Sequence, residues 1–105
     1  MKYTVSRATP VESVPGRDIE VFDSGLDEDD VLPAIRLSAR KCAEAEVEYE
    51  VDDPVYHTER YARLQTAPDD PVAGVWLVRL SWEESRGFWR SWLGEVGVKR
   101  EEDSA

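Results

Sequence analysis

A strict alternation of acidic and apolar residues over positions 44–51 constrains the fold more than any other stretch of this chain. Successive side chains of a β-strand point to opposite faces, whereas in a helix the same acids would scatter around the axis. The pattern therefore predicts a strand with one acidic, solvent-facing side. The acidic run continues for two more positions without a basic residue. Its members, called the acidic row below, are Glu44, Glu46, Glu48, Glu50, Asp52 and Asp53.

Length and composition are those of one globular domain. The chain has 105 residues, of which 41% are hydrophobic, enough for a packed core without metal or disulfide cross-links. Cys42 is the single cysteine, so no intrachain disulfide is expected. The sequence contains neither a recognisable secretory signal nor an apolar run of membrane-spanning length, and we therefore expect a soluble, cytoplasmic protein.

The charge balance indicates which partners the chain can bind. There are 23 acidic residues against 13 basic ones, a formal net charge of -10. Nucleic acids and anionic membrane surfaces repel such a chain, whereas basic proteins attract it. We therefore expect a basic protein partner, no direct contact with nucleic acid and no binding to membranes.

Hydrophobic periodicity predicts the element order β-β-α-β-β-β-α. The first helix follows the acids at 27–30, which favour a helix N-terminus, and runs to about Ala43. The second begins at Ser81 and ends at Gly94 or Gly97, either of which can close a helix in the left-handed conformation. We expect a single α+β domain over residues 1–98, with a mostly antiparallel sheet of about five strands and two helices, followed by a charged, flexible tail over residues 99–105. The predicted strands cover residues 1–8, 18–22, 44–51, 56–66 and 72–80.

The second helix is predicted from a capping motif and an apolar stripe. Ser81 and Glu84 fit the S-x-x-E capping box. Six large side chains then fall within an arc of about 140° at helical spacing. Small residues on the opposite face form a candidate assembly strip, because a glycine inside a helix costs ~1 kcal/mol relative to alanine and favours a close backbone contact. The strip is Gly87, Ser91 and Gly94; the stripe is Trp82, Phe88, Trp89, Trp92, Leu93 and Val96.

Catalytic and cofactor-binding motifs are missing from the sequence. It contains no Cys-His ligand set, glycine-rich phosphate loop or complete calcium loop. His57, the only histidine, has no nucleophile or metal-ligand partner at a suitable spacing. We therefore expect no catalytic residues, no metal and no cofactor. A small ligand-binding or enzymatic pocket near His57, Tyr56 and Tyr61 is kept as an alternative.

The acidic row has two interpretations. It is either a solvated sheet face that keeps the protein soluble or a docking surface for a basic partner. Acids at alternate positions of a strand are ~6.8 Å apart, whereas duplex DNA carries one negative charge per ~1.7 Å of its axis. The charge density of the row is thus about fourfold lower than that of a duplex. The row alone is thus too sparse to mimic a duplex, although the seven acids within residues 18–30 would supply a second row if they fold alongside.

These features favour a non-catalytic acidic protein-interaction module. The hypothesis is an inhibitor of a basic, nucleic-acid-handling partner, of the kind made by phages and mobile elements or used to neutralise toxins, with the acidic row as its partner-binding residues. The main alternative is a small structural subunit that forms a homodimer or larger assembly through the strip of small residues.

Overall fold

Six antiparallel strands and one helix make up the part of the chain that the computed structural model describes, residues 1–11, 20–46, 54–66, 69–83 and 89–101. Five strands are ordered β3-β1-β6-β5-β4 across the sheet, and β2 pairs with β6 beside β1. The α+β class is confirmed, but there is one helix rather than two. The elements are β1 (Tyr3–Ser6), β2 (Thr9–Pro10), β3 (Val21–Leu26), α1 (Glu28–Ala45), β4 (Val55–Thr66), β5 (Gly74–Glu83) and β6 (Trp89–Arg100).

Helix α1 forms where the sequence predicts the first helix, and it covers one face of the sheet, called the inner face. Three acids in its first turn interact favourably with the helix dipole. One buried polar group ties it to β1: Ser38 Oγ donates to the Ser6 carbonyl and accepts from the Ala8 N–H, both at 2.8 Å. The buried face of α1 consists of Val31, Ala34, Ile35, Ser38, Ala39 and Ala43.

The predicted C-terminal helix is wrong, because its described residues, 81–83 and 89–97, form the end of β5 and most of β6. Ser81, the expected helix cap, lies opposite Ser91 in the β5–β6 ladder. Alternate residues of β6 are buried, which is the period of a strand. Glycines at 94 and 97 each disfavour a helix by ~1 kcal/mol, whereas the strand can pair with β1 on one side and β5 on the other. Residues 84–88 lie outside the described residues.

The centre of the sheet extends past the predicted domain boundary. Lys99 and Arg100, which the sequence places in a flexible tail, pair with Thr4 and Tyr3 of β1. The carboxylate of Glu101 then accepts 2.8 Å hydrogen bonds from the Thr4 hydroxyl and from the N–H of residue 25. The sheet therefore includes the first residues of the proposed tail, and residues 102–105 lie outside the described part of the chain.

The core lies between α1 and the inner face of the sheet. β1, β5 and β6 supply most of its large side chains, and Trp82 is only 2% exposed. The other face, called the outer face, carries exposed side chains at the β5–β6 end, including Trp89 at 60% exposure. The inner-face core residues are Tyr3, Val5, Val78, Leu80, Trp82, Trp92, Val96 and Val98.

Candidate functional site

The first two acids of the acidic row lie at the C-terminal end of α1 rather than on a strand. Glu44 is in the last helical turn, and Glu46 is the C-cap, whose N–H donates to the Ala43 carbonyl at 3.3 Å. Each residue of a helix is rotated by about 100° around the axis, so residues two apart are separated by about 200°. These two carboxylates therefore do not share a face of the helix. The predicted strand is therefore wrong at its start. Glu48, Glu50, Asp52 and Asp53 lie outside the described residues.

The helix extends to this point because glutamate and alanine are both good helix formers and α1 is already packed on the sheet. Acids in this position oppose the helix dipole, whose C-terminal end carries partial negative charge. The last turn contains no basic residue to compensate them. Glu44 and Glu46 are both exposed, so the end of α1 is a negatively charged surface.

Glu44 has a fixed orientation because it contacts β4. The Tyr56 hydroxyl donates a 2.6 Å hydrogen bond to Glu44 Oε1. Burial and this hydrogen bond both raise the pKa of Tyr56 above its usual value. The Arg40 guanidinium lies 4.1 Å from the centre of the Tyr56 ring, a cation–π contact on the same side of α1. One acid of the row is thus held by β4, while Glu46 points elsewhere.

A second acid in this region is neutralised by arginines of α1. Glu59 of β4 pairs with Arg40 and lies 3.3 Å from Arg36 Nε. This cluster joins β4, an edge strand within the described sheet, to the helix. Because Glu59 is only 20% exposed and already has two cationic partners, it belongs to the fold and not to a docking surface.

His57 does not form a pocket with the two tyrosines. Its Nε2 lies 3.4 Å from Glu83 Oε2, and its ring centre lies 4.4 Å from that of Trp89, so it contacts the outer face. Tyr56 and Tyr61 pair with inner-face residues of β5. The expected pocket around these three residues is therefore not assembled. Within the described ranges, no group of three or more His, Cys, Asp or Glu side chains is arranged to hold a metal ion.

The strip of small residues is not one surface either. Ser91 is exposed on the outer face of β6, whereas Gly94 is buried on the inner face, where Trp92 covers it. Gly87 lies outside the described residues. The proposed assembly strip depended on helical spacing, and a strand sends Ser91 and Gly94 in opposite directions.

Replacing Gly94 by alanine should destabilise the protein by about 2 kcal/mol, because overpacking a closed site costs that much. The new Cβ would overlap the six-membered ring of Trp92 and lie 2.7 Å from the Thr9 carbonyl oxygen. Gly97→Ala is the matched control on the same strand, since its Cβ would meet Ser6 Oγ at an ordinary 3.5 Å. Urea denaturation measures both. Equal stability of the two variants would contradict the packing of Trp92 on Gly94.

Comparison with known proteins returns no match: no family model, no curated protein and no solved structure is detectably similar to this chain. The described residues include no helix that is long and apolar enough to cross a bilayer, since the 18-residue helix α1 carries charged side chains along its length. Functional inference for this protein therefore depends on its own geometry.

Two residues that the sequence does not single out become neighbours in the sheet. Arg60 of β4 and Arg79 of β5 are directly opposite each other and exposed on the outer face; they are called the arginine pair below. The buried neighbours Val78 and Leu80 indicate which way Arg79 points. The pairing of β4 with β5 has to be known before Arg60 can be placed beside it.

Proposed function

We propose that this chain is a non-catalytic acidic module that binds, and thereby inhibits, a basic nucleic-acid-handling protein. The observation that carries the proposal is the exposed negative charge at the C-terminal end of α1, where Glu44 and Glu46 oppose the helix dipole and the last turn contains no basic residue. A lysine- or arginine-rich surface would relieve that repulsion, so part of the binding energy comes from strain that the free protein already carries.

Net charge supports the same proposal. At -10 the chain attracts cationic surfaces over long range, and such steering raises association rates more than it raises affinity. The other four acids of the row, Glu48, Glu50, Asp52 and Asp53, follow Glu46 within seven residues of sequence that contain no basic residue. Binding in the cytoplasm would cover the surface with which the partner contacts nucleic acid, because the same cationic groups serve both.

A charge reversal at the end of the helix tests the proposal. A basic protein recovered from a lysate of the native host is purified, and its association with this chain is followed by surface plasmon resonance at several salt concentrations. Glu46→Lys combined with Glu48→Lys should lower the association rate about tenfold and flatten its dependence on salt. Wild type should also compete with duplex DNA for that partner in a mobility-shift assay.

The matched control reverses two acids elsewhere. Asp69→Lys combined with Glu95→Lys changes the net charge by the same amount at exposed positions outside the acidic row. This variant should retain an association rate within a few-fold of wild type. If both double variants slow association equally, only net charge matters and no docking surface exists at the helix end. If the partner binds DNA equally well in the presence of the chain, the inhibitory role is wrong.

A further inference from the structure

The arginine pair brings two positive charges together in a strongly acidic protein. Arg60 and Arg79 face each other across the β4–β5 ladder, and directly opposite side chains in an antiparallel sheet have Cβ atoms about 5 Å apart. Like charges in that arrangement destabilise a sheet. The chain therefore maintains an unfavourable contact between like charges on the outer face of the sheet.

No acid among the described residues compensates the pair. Neither arginine forms an ion pair or a hydrogen bond with another described residue. By contrast, Arg7, Arg36 and Arg40 each pair with a carboxylate. Glu95, opposite Leu77 on the same face, is diagonal to Arg79 and makes no ion pair with it. Within the described part of the chain, neither guanidinium group has its donors occupied by another side chain.

Hydroxyl groups lie next to the pair. Thr58, Ser81 and Ser91 form a row across β4, β5 and β6, because Thr58 and Ser91 both pair with Ser81. Thr58 and Ser81 lie two positions along their strands from Arg60 and Arg79, a distance of about 6.8 Å. The three hydroxyls and both arginines line one cavity of about 800 Å³, a volume within the range of small-molecule sites.

Apolar side chains also line this cavity. Leu93, directly opposite Arg79 on β6, and Val11 supply apolar surface beside the guanidinium groups. Among the described lining residues Glu46 is the only carboxylate. The cavity therefore combines a doubly positive floor, neutral hydroxyl donors and apolar contacts, with one acid that would weaken the binding of an anion.

We propose that the arginine pair binds the phosphate group of a small phosphomonoester, whose organic part contacts Leu93 and Val11. A phosphate carries close to two negative charges and three acceptor oxygens, which match two guanidinium groups better than a single carboxylate does. A nucleic acid is disfavoured, because the net charge of -10 repels a polyanion.

The experiment is a titration of the ¹⁵N-labelled full chain followed by NMR at constant ionic strength, with phenyl phosphate, inorganic phosphate and benzoate as probes. Phenyl phosphate should give saturable shifts at residues 58–60, 79–81 and 91–93, including the arginine side-chain N–H signals. It should bind several-fold tighter than inorganic phosphate, because only it can contact the apolar wall, and tighter than benzoate. Binding should weaken below about pH 6, where a phosphomonoester loses its second charge.

Charge-neutralising variants separate a built site from general attraction. Arg60→Gln and Arg79→Gln should each weaken phenyl phosphate binding at least tenfold, since each removes a charged hydrogen-bond donor. Arg7→Gln changes the net charge equally but removes an arginine already paired with Glu20, so it should have little effect. Glu46→Gln should strengthen binding severalfold by removing the one acid of the cavity wall.

Several results would overturn this proposal. They are shifts that do not saturate, shifts located away from β4 and β5, and equal weakening by Arg7→Gln and Arg60→Gln. Equal affinity for phosphate and phenyl phosphate would exclude an organic ligand and leave an inorganic anion site only. Glu46 belongs to both surfaces, but failure of this proposal is distinguishable from failure of the proposed function, because the arginine variants leave Glu46 unchanged and the charge-reversal test measures binding to a basic protein.

Discussion

Replacing Trp82 by alanine should lower the free energy of unfolding by about 4 kcal/mol, the usual cost of removing a large aromatic side chain from a core. Trp82 is 2% exposed on the inner face of β5, and its ring centre lies 5.7 Å from that of Tyr56. Its indole N–H has no hydrogen-bond partner among the described residues, so the loss is one of packing alone. Urea denaturation gives the value.

Trp89→Ala is the matched control for this measurement. Trp89 lies opposite Glu83 on the same hairpin but is 60% exposed on the outer face, so its removal should cost less than about 1 kcal/mol. A helical arrangement would bury both tryptophans in one stripe, and losses of similar size would therefore contradict the strand assignment. If Trp82→Ala does not fold, Trp82→Phe should still be clearly less stable than Trp89→Ala.

Replacing Asp70 by alanine should cost about 3 kcal/mol, because it leaves buried hydrogen-bond donors without a partner. Asp70 Oδ1 accepts from the N–H groups of Val72 and Ala73, both at 2.9 Å, and Oδ2 accepts from the Tyr3 hydroxyl at 3.2 Å. The carboxylate thus connects the turn before β5 to β1. Asp69→Ala, at the exposed neighbouring position, should change stability by no more than about 0.5 kcal/mol.

The same carboxylate makes stability depend on pH. Burial raises the pKa of Asp70, but the two backbone N–H groups and the Tyr3 hydroxyl outweigh it, so the pKa is lowered overall. A lowered folded-state pKa stabilises the protein above the unfolded-state pKa of about 3.9, and that stability is lost as the pH falls through the folded value. The stability gap between wild type and Asp70→Asn should be constant from about pH 5 to pH 7 and should narrow below about pH 4.

A stability gap that widens in acid would contradict this assignment of Asp70. Asp69→Asn serves as the control, because it removes an exposed carboxylate at the neighbouring position and leaves the three donors to Asp70 in place. The pH series also tests whether β1 and the turn before β5 are joined as described, since the Tyr3 hydroxyl is one of the three donors.

Helix α1 could be predicted from the sequence because several local signals agree there. Its acids lie at the N-terminus, and its apolar residues recur at helical spacing until the helix is packed. Residues 89–100 carry conflicting signals instead. Trp89, Trp92 and Val96 fit a helical stripe, whereas Trp92, Gly94, Val96 and Val98 fit a strand. Tertiary pairing with β1 and β5 decides between them, and single-sequence periodicity contains no information about that pairing.

The candidate sites could be predicted only in part for the same reason. The sequence identifies Glu44 and Glu46 as exposed acids, but it places them on one face of a strand when they lie around the end of a helix. The arginine pair requires the β4–β5 register, which contains two irregularities, between Tyr56 and Thr58 and between Arg63 and Gln65. A one-residue slip would send Arg60 to the other face.

The position of β1 between β3 and β6 has a consequence for how the chain reaches its native state. The hydrogen bond from Thr4 to Glu101 joins residues 97 positions apart, and the β1–β6 ladder lies beside it. Closing so long a loop costs conformational entropy before any packing is gained. We therefore expect folding in milliseconds to seconds, as in other topologies of high contact order, with the β4–β5–β6 meander forming ahead of β1 docking.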